Sequence, residues 1–141
     1  MSMKLQGSCH CGNIRVVFEP ALGIEALSVR ACRCSFCRRH GARTVTDPEG
    51  TVEIHVRDTA AVTHYRFDQK TADYMLCAHC GVYVVAVLVE PAGAWATVNC
   101  NVLEGVPSLT ETAVPVDYSG EEADARRDRR RKRWTPVTRL P

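Results

Sequence analysis

The chain has 141 residues, of which 45% are hydrophobic and 24% charged, with a formal net charge of +2. This suffices for one hydrophobic core but not two, and it excludes a wholly disordered chain. The longest apolar run, Val82–Val89, is far too short for a membrane-spanning helix, and no apolar stretch follows the basic residues near Met1 to make a secretion signal. The predicted compartment is therefore the cytoplasm, and no membrane partner is expected.

The body reads as strands. Ile14, Val16 and Phe18 alternate with Arg15 and Val17. Val52, Ile54 and Val56 alternate with Glu53 and His55, and Tyr65 and Phe67 alternate with His64 and Arg66. A period of two puts one row of each strand inward. Val82–Val89 is Val-rich and short, which predicts a central strand buried on both faces, and Trp95–Asn99 is a further strand. Turn residues separate these segments at Pro20 and Gly23, at Asp47 to Gly50, and at Pro91 to Gly93. No helical period is visible before residue 119, so the domain is expected to be mainly β.

The last quarter of the chain differs. Residues 107–117 contain Pro107 and Pro115 and little periodicity, which predicts a strap across the surface. Ser119 and Glu122 have the spacing of a capping box. Residues 121–133 then run from acids to bases, as suits a short C-terminal helix, but have no apolar face. Residues 126–141 hold eight Lys/Arg against one Asp, whereas the other 125 residues hold ten Lys/Arg against fifteen Asp/Glu. The division predicted is a body over 1–118 and a basic tail over 119–141 that is not a separate domain. The tail is expected to lie on the surface, anchored by Trp134. Such a run has affinity for phosphates, so a nucleic acid or other polyanion is one reading of it and a solvated segment the other; the acidic body argues against an extended nucleic-acid surface.

Eight cysteines in a reducing compartment point to metal rather than disulfides. They fall into Cys9 and Cys11; Cys32, Cys34 and Cys37; Cys77 and Cys80; and a lone Cys100. Zinc holds thiolates at about 2.3 Å, so its ligand sulfurs sit about 3.8 Å apart. The Cys77–Cys80 spacing before Gly81 suits a tight turn that offers two ligands. Cys9 and Cys11, ahead of Gly12 and a strand, suit the other two. Cys32, Cys34 and Cys37 are three thiols in six residues, the pattern of a zinc with an exchangeable fourth position. A second structural zinc completed by Cys100 is the other reading of that cluster, and a redox pair the other reading of Cys77 and Cys80. His40 offers a fourth ligand, a general base, or an ordinary loop histidine. His10 and His79 are expected to point away from the metal.

The string from Gly7 to Gly12 followed by Ile14 and Val16, then Cys32, Cys34, Ser35 and Cys37, then Cys77, Cys80 and Gly81, resembles the glutathione-dependent formaldehyde-activating enzyme family, which includes the centromere protein V domain. The resemblance runs from about Leu5 to Gly105. It implies an Mss4-like arrangement of antiparallel β-sheets organised around zinc. It also implies a structural zinc on Cys9, Cys11, Cys77 and Cys80, and a second, more labile and catalytic zinc on Cys32, Cys34 and Cys37. The reaction it implies is of the carbon–sulfur lyase type, condensing glutathione or another small thiol with formaldehyde or a similar small carbonyl. The alternative is a zinc-stabilised, non-catalytic binding module whose basic tail takes a polyanion. No residue is singled out for proton transfer.

Overall fold

The computed structural model describes residues 3–106 and 108–141. In chain order it contains β1 (Leu5–Ser8), β2 (Ile14–Glu19), β3 (Ser28–Cys32), α1 (Ser35–His40), β4 (Thr44–Thr46), β5 (Thr51–Val56), β6 (Val62–Tyr65), β7 (Asp73–Cys77), β8 (Tyr83–Glu90), β9 (Gly93–Asn99), α2 (Ser108–Glu111), β10 (Val114–Val116), α3 (Ala123–Arg133) and β11 (Thr135–Arg139). The fold is mainly β, as predicted, with antiparallel pairing dominant. Pro107 lies outside the described residues.

Two sheets carry the core. In the first, β1, β2 and β5 pair antiparallel. In the second, β6 to β9 form a meander, continued by β4 and β3. The alternating strands behave as the pattern dictates: Ile14, Val16, Phe18, Val52 and Ile54 are almost fully buried, each contributing about 1.5–3 kcal/mol of burial. They pack with Val85, Val87 and Val98 of the second sheet. β8 is buried on both faces because its alternate residues serve different cores. Val85 and Val87 face the first core, while Tyr83, Ala86 and Leu88 join Trp134, Cys37 and Ala42 in a second. The burial ends one residue earlier than expected, with Val89 57% exposed.

The C-terminal segment corrects the sequence reading most. β11 is an interior strand: it pairs parallel with β5 and antiparallel with β9, joining the two sheets. β9 can accept it because the pairing on that edge is shared, with Trp95 and Ala96 facing β11 and Val98 and Asn99 pairing with Val45 and Thr44 of β4 further along. Thr135 is fully buried, and its hydroxyl accepts the Asp47 N–H at 2.8 Å. The strap, for its part, carries α2 and then β10, which pairs parallel with β3. α3 forms without an apolar stripe because arginines take the buried positions; Arg126 and Arg130 are both buried. The capping box does not form. The helix starts after Glu122, whose side chain makes no capping bond, and Ser119 is held upstream in a turn where its N–H donates to the Asp117 carboxylate at 2.9 Å.

Removing residues 134–141 should therefore unfold the protein. It deletes a buried tryptophan, worth about 3–5 kcal/mol on its own, and strips the inner edges of β5 and β9. The expected product is insoluble or lacks a cooperative thermal transition by circular dichroism; a truncated chain melting near the full-length midpoint would contradict the seam.

Candidate metal centre and its cleft

Two turns at the same end of the sheets bring four thiols together. The first links β1 and β2. There the Gly12 N–H donates to the Cys9 carbonyl at 3.1 Å, Gly12 adopts φ +85°, and the Ile14 N–H donates to the Cys9 sulfur at 3.3 Å. The second links β7 and β8, where the Gly81 N–H donates to the Cys77 carbonyl at 2.8 Å, with Gly81 at φ +80°. Both glycines supply the left-handed backbone that closes a turn beneath two sulfurs. Asn13 ties the first turn to its surroundings, accepting the Asp58 N–H at 2.8 Å and donating to the Asp58 carbonyl at 3.2 Å. Cys9, Cys11, Cys77 and Cys80 have all their sulfurs within 4.8 Å of one another; the Cys9–Cys11 separation is 3.8 Å and Cys11–Cys77 is 3.5 Å.

The second group is built on one turn of helix. Cys32 ends β3, Cys34 caps α1, and Cys37 lies within it. The Cys37 N–H donates to the Cys34 sulfur at 3.3 Å, and Gly41 ends the helix at φ +59°. This helix was not visible in the sequence because its six residues, Ser35 to His40, carry no apolar period; a sulfur cap and a left-handed glycine define it instead. The sulfurs of Cys32, Cys34 and Cys37 also lie within 4.8 Å of one another. Neither His40 nor Cys100 joins this group. Cys100 is buried in the first core, where burial pushes its thiol up to about 12. His10 and His79 are exposed and belong to neither group. All eight cysteines are free thiols.

Both groups fit a metal ion, and their electrostatics show why. Within the three-thiol group, Cys34 is pushed down to about 2 because the Cys32 and Cys37 thiols both donate to it. Cys37 is driven upward by its bonds to Cys32 and Cys34 and by burial. In the four-thiol group burial opposes the Cys80 thiolate, but the Cys11 and Val82 N–H groups and the adjacent thiols bring it down to about 6. In the three-thiol group Cys34 thus ionises easily while Cys32 and Cys37 resist, and in the four-thiol group Cys80 ionises easily while Cys11 resists. A cation among them stabilises several thiolates at once, and all-sulfur donors at these separations suit zinc.

The two groups differ in their surroundings. The three-thiol group opens on a cleft of about 880 Å³, lined by Cys32, Cys34 and a wall of aromatic rings. Phe36 sits at the hub of that wall, 4.9 Å from Tyr74, 5.0 Å from Tyr83 and 5.3 Å from Phe67, centre to centre. Tyr65 stacks on Phe36 at 5.7 Å and is 47% exposed at the rim. Burial pushes the Tyr74 hydroxyl up to about 12, so it stays protonated at neutral pH. The opposite wall comes from α3: Arg126, Arg129 and Arg130 all line the cleft. Arg126 reaches Asp68 at 2.9 Å, and Arg129 grips Glu121 with two nitrogens while lying over the Tyr118 ring at 3.6 Å. Sequence reasoning placed these arginines on the surface. The signal that could have found them is their spacing: 126, 129 and 130 share one helical face.

Residues 4–116 match the family described as glutathione-dependent formaldehyde-activating enzyme. The chain belongs to that family. A structural-genomics crystal structure of a Rhodobacter sphaeroides protein is similar, with 33% sequence identity and a TM-score of 0.60, over 78% of this chain and 97% of that one. No curated protein matches this chain. The family's Mss4-like β fold agrees with the two sheets described above, while α3 and β11 lie beyond the matched residues.

Glu121 gives the arginine wall a pH signature. Burial alone would raise its carboxyl, but Arg129 and Arg126 outweigh that and hold it below its ordinary 4.5. Its contribution is then complete above the unfolded value and fades as pH falls through the lower folded value. Glu121→Gln should cost about 1–2 kcal/mol at pH 7, and the difference between urea melts of the two proteins should shrink as pH falls below that ordinary glutamate value. A difference that persists unchanged at pH 3 would contradict this.

Proposed function

We propose that this protein is a metal-dependent enzyme of carbon–sulfur chemistry that adds a small thiol to a small carbonyl compound, with glutathione and formaldehyde as the pair the family name supplies. The observation that carries this reading is the contrast between the two thiol groups: four sulfurs close one site, whereas three leave the other facing the cleft. Cys9, Cys11, Cys77 and Cys80 would hold a structural zinc; Cys32, Cys34 and Cys37 would hold a second, more labile one. Bound there, zinc supplies a Lewis-acidic position that favours the thiolate form of a bound thiol near neutral pH.

The chain's own residues supply the rest. Phe36, Phe67 and Tyr74 exclude water from one side of the thiols. Arg33 and Arg39 line the mouth, and neither pairs with a carboxylate among the described residues, so they draw an anionic thiol inward. In the net reaction a sulfur–carbon bond forms as the carbonyl π bond breaks, and the thiol proton ends on the carbonyl oxygen. The non-catalytic module with a polyanion-binding tail loses its main feature, since Arg126, Arg129 and Arg131 are committed to Asp68, Glu121 and Glu90. The free thiols fit a reducing compartment such as the cytoplasm, and no helix among the described residues is long and apolar enough to cross a membrane.

Two measurements test this. Purified protein should contain two zinc equivalents, of which mild chelation removes one while the far-ultraviolet spectrum holds; simultaneous loss of both with unfolding would make the second site structural. With 13C-formaldehyde and glutathione, exchange NMR should show S-hydroxymethylglutathione forming faster than without protein. Cys34→Ser, folded and retaining one zinc, should return the rate to the uncatalysed value. Undiminished acceleration in that variant would reject the assignment.

A further inference from the structure

Most cations of α3 have a carboxylate, and Arg133, which pairs with none among the described residues, is exposed to solvent. Arg126 pairs with Asp68 and Glu121, Arg127 with Asp124, Arg129 with Glu121, Arg131 with Glu90 and Lys132 with Asp128. Arg130, in their midst, has none among the described residues, although it is only 6% exposed. One terminal nitrogen donates to the Thr71 hydroxyl at 2.6 Å. The guanidinium lies over the Trp134 ring at 4.6 Å, and its Nε–H has no acceptor. A neutral hydroxyl and an aromatic face compensate little of the cost of burying a full charge. The position demands negative charge nearby.

The surroundings leave few sources for it. A small cavity of about 50 Å³ behind the thiols is lined by Arg130, Arg129, Cys32, Cys37, Tyr74 and Tyr83 among others, and by no aspartate or glutamate. In the main cleft Arg130 shares the wall with Cys32 and Cys34. The acids lining that cleft are occupied: Asp68 by Arg126, and Asp117 by the Ser119 turn. Burial keeps Tyr74 and Tyr83 protonated. Glu121 also acts on Arg130, but Arg126 and Arg129 already hold it; the anions left without a partner are the thiolates themselves.

The geometry points to Arg130 as the internal counter-charge of the three-cysteine group, a positioning residue that acts on the metal through its thiolate ligands. This rests on the reading that Cys32, Cys34 and Cys37 hold a divalent ion. Three thiolates around such an ion leave one net negative charge in a half-buried place, and a fourth, incoming thiolate adds another. A guanidinium fixed behind the sulfurs lowers the cost of both and so favours an anionic thiolate over neutral water in the fourth position. The residue arrives from beyond position 116, where the family match ends. The counter-charge is thus a contribution of this chain's C-terminal helix.

The test compares full-length Arg130→Gln, which keeps a hydrogen-bonding side chain without charge, with Arg130→Lys, which keeps the charge. Zinc affinity at each site is read by competition with a chromophoric chelator. Binding of 2-mercaptoethanol, an uncharged thiol, is read from the sulfur-to-metal charge-transfer band of cobalt-substituted protein. Arg130→Gln should weaken the second zinc, and the mercaptoethanol bound there, about tenfold or more, with the four-cysteine site unchanged; Arg130→Lys should stay within about threefold of the parent. A folded Arg130→Gln that holds both zincs and the thiol as the parent does overturns the proposal. Should that variant fail to fold, Arg130→Lys decides: near-parental affinity supports a role for charge, and a tenfold loss with the charge in place overturns it. A parent protein that binds one zinc only would sink the underlying two-site reading, and the proposal with it, before any variant is compared.

Discussion

Sulfurs crowded within 4.8 Å of one another repel as thiolates, and burial makes the repulsion stronger. A cation among them would turn the same crowding into a tie between distant parts of the chain. Holding a cation, the four-thiol group would join the β1–β2 turn to the β7–β8 turn, some seventy residues on, and so fix the first sheet against the second. Closing so long a loop by packing alone is entropically costly, and a metal bond offsets that cost at one point. The core strands then meet in register: Ile14, Val16 and Phe18 below, Val85, Val87 and Val98 above. Everything at the cleft depends on this frame, because β7 carries Tyr74, β8 carries Tyr83, and β3 delivers Cys32.

The far end of the molecule is closed by different means. β11 joins the two sheets through backbone hydrogen bonds, and Trp134 anchors α3 over the second core. α3 in turn holds the loop after β6. Arg126 takes Asp68, Arg130 takes Thr71, and the Gln69 amide donates to the Glu121 carbonyl at 2.8 Å. In that loop Asp68 and Lys70 adopt positive φ, 54° and 56°, a conformation that costs a non-glycine residue energy and persists where the surroundings enforce it. The same loop places Phe67 in the aromatic wall. The C-terminal segment thus shapes the cleft from two sides, supplying one wall directly and positioning part of the other.

What the sequence made legible follows from the range of the interactions involved. Period-two strands and cysteine spacings are local patterns, so β2, β5, β8 and both thiol groups could be read directly, and the joining of Cys9 and Cys11 to Cys77 and Cys80 followed from counting ligands. α1 was hidden because a sulfur cap and Gly41 define it, and neither registers as hydrophobic periodicity. β11 was hidden because Thr135, Pro136 and Val137 make a short, ordinary stretch whose place between β5 and β9 is set wholly by partners far away. The arginine run misled for a physical reason. Charge density suggests solvent, yet Asp68 and Glu90 come from distant parts of the chain, and Glu121 from just ahead of the helix, to receive these side chains. Charge complementarity of that kind appears only once the chain is folded.

The central claim is that the two thiol groups are two metal sites of different character, one closed by sulfur and one left open toward the cleft. Diffraction from crystals grown without added chelator, recorded on either side of the zinc absorption edge, addresses it most directly. The account predicts two anomalous peaks. One is surrounded by the sulfurs of Cys9, Cys11, Cys77 and Cys80, and the other by those of Cys32, Cys34 and Cys37 with its fourth position turned to the cleft. A single peak, a disulfide within the Cys32–Cys37 group, or a fourth protein ligand closing the second site would contradict it.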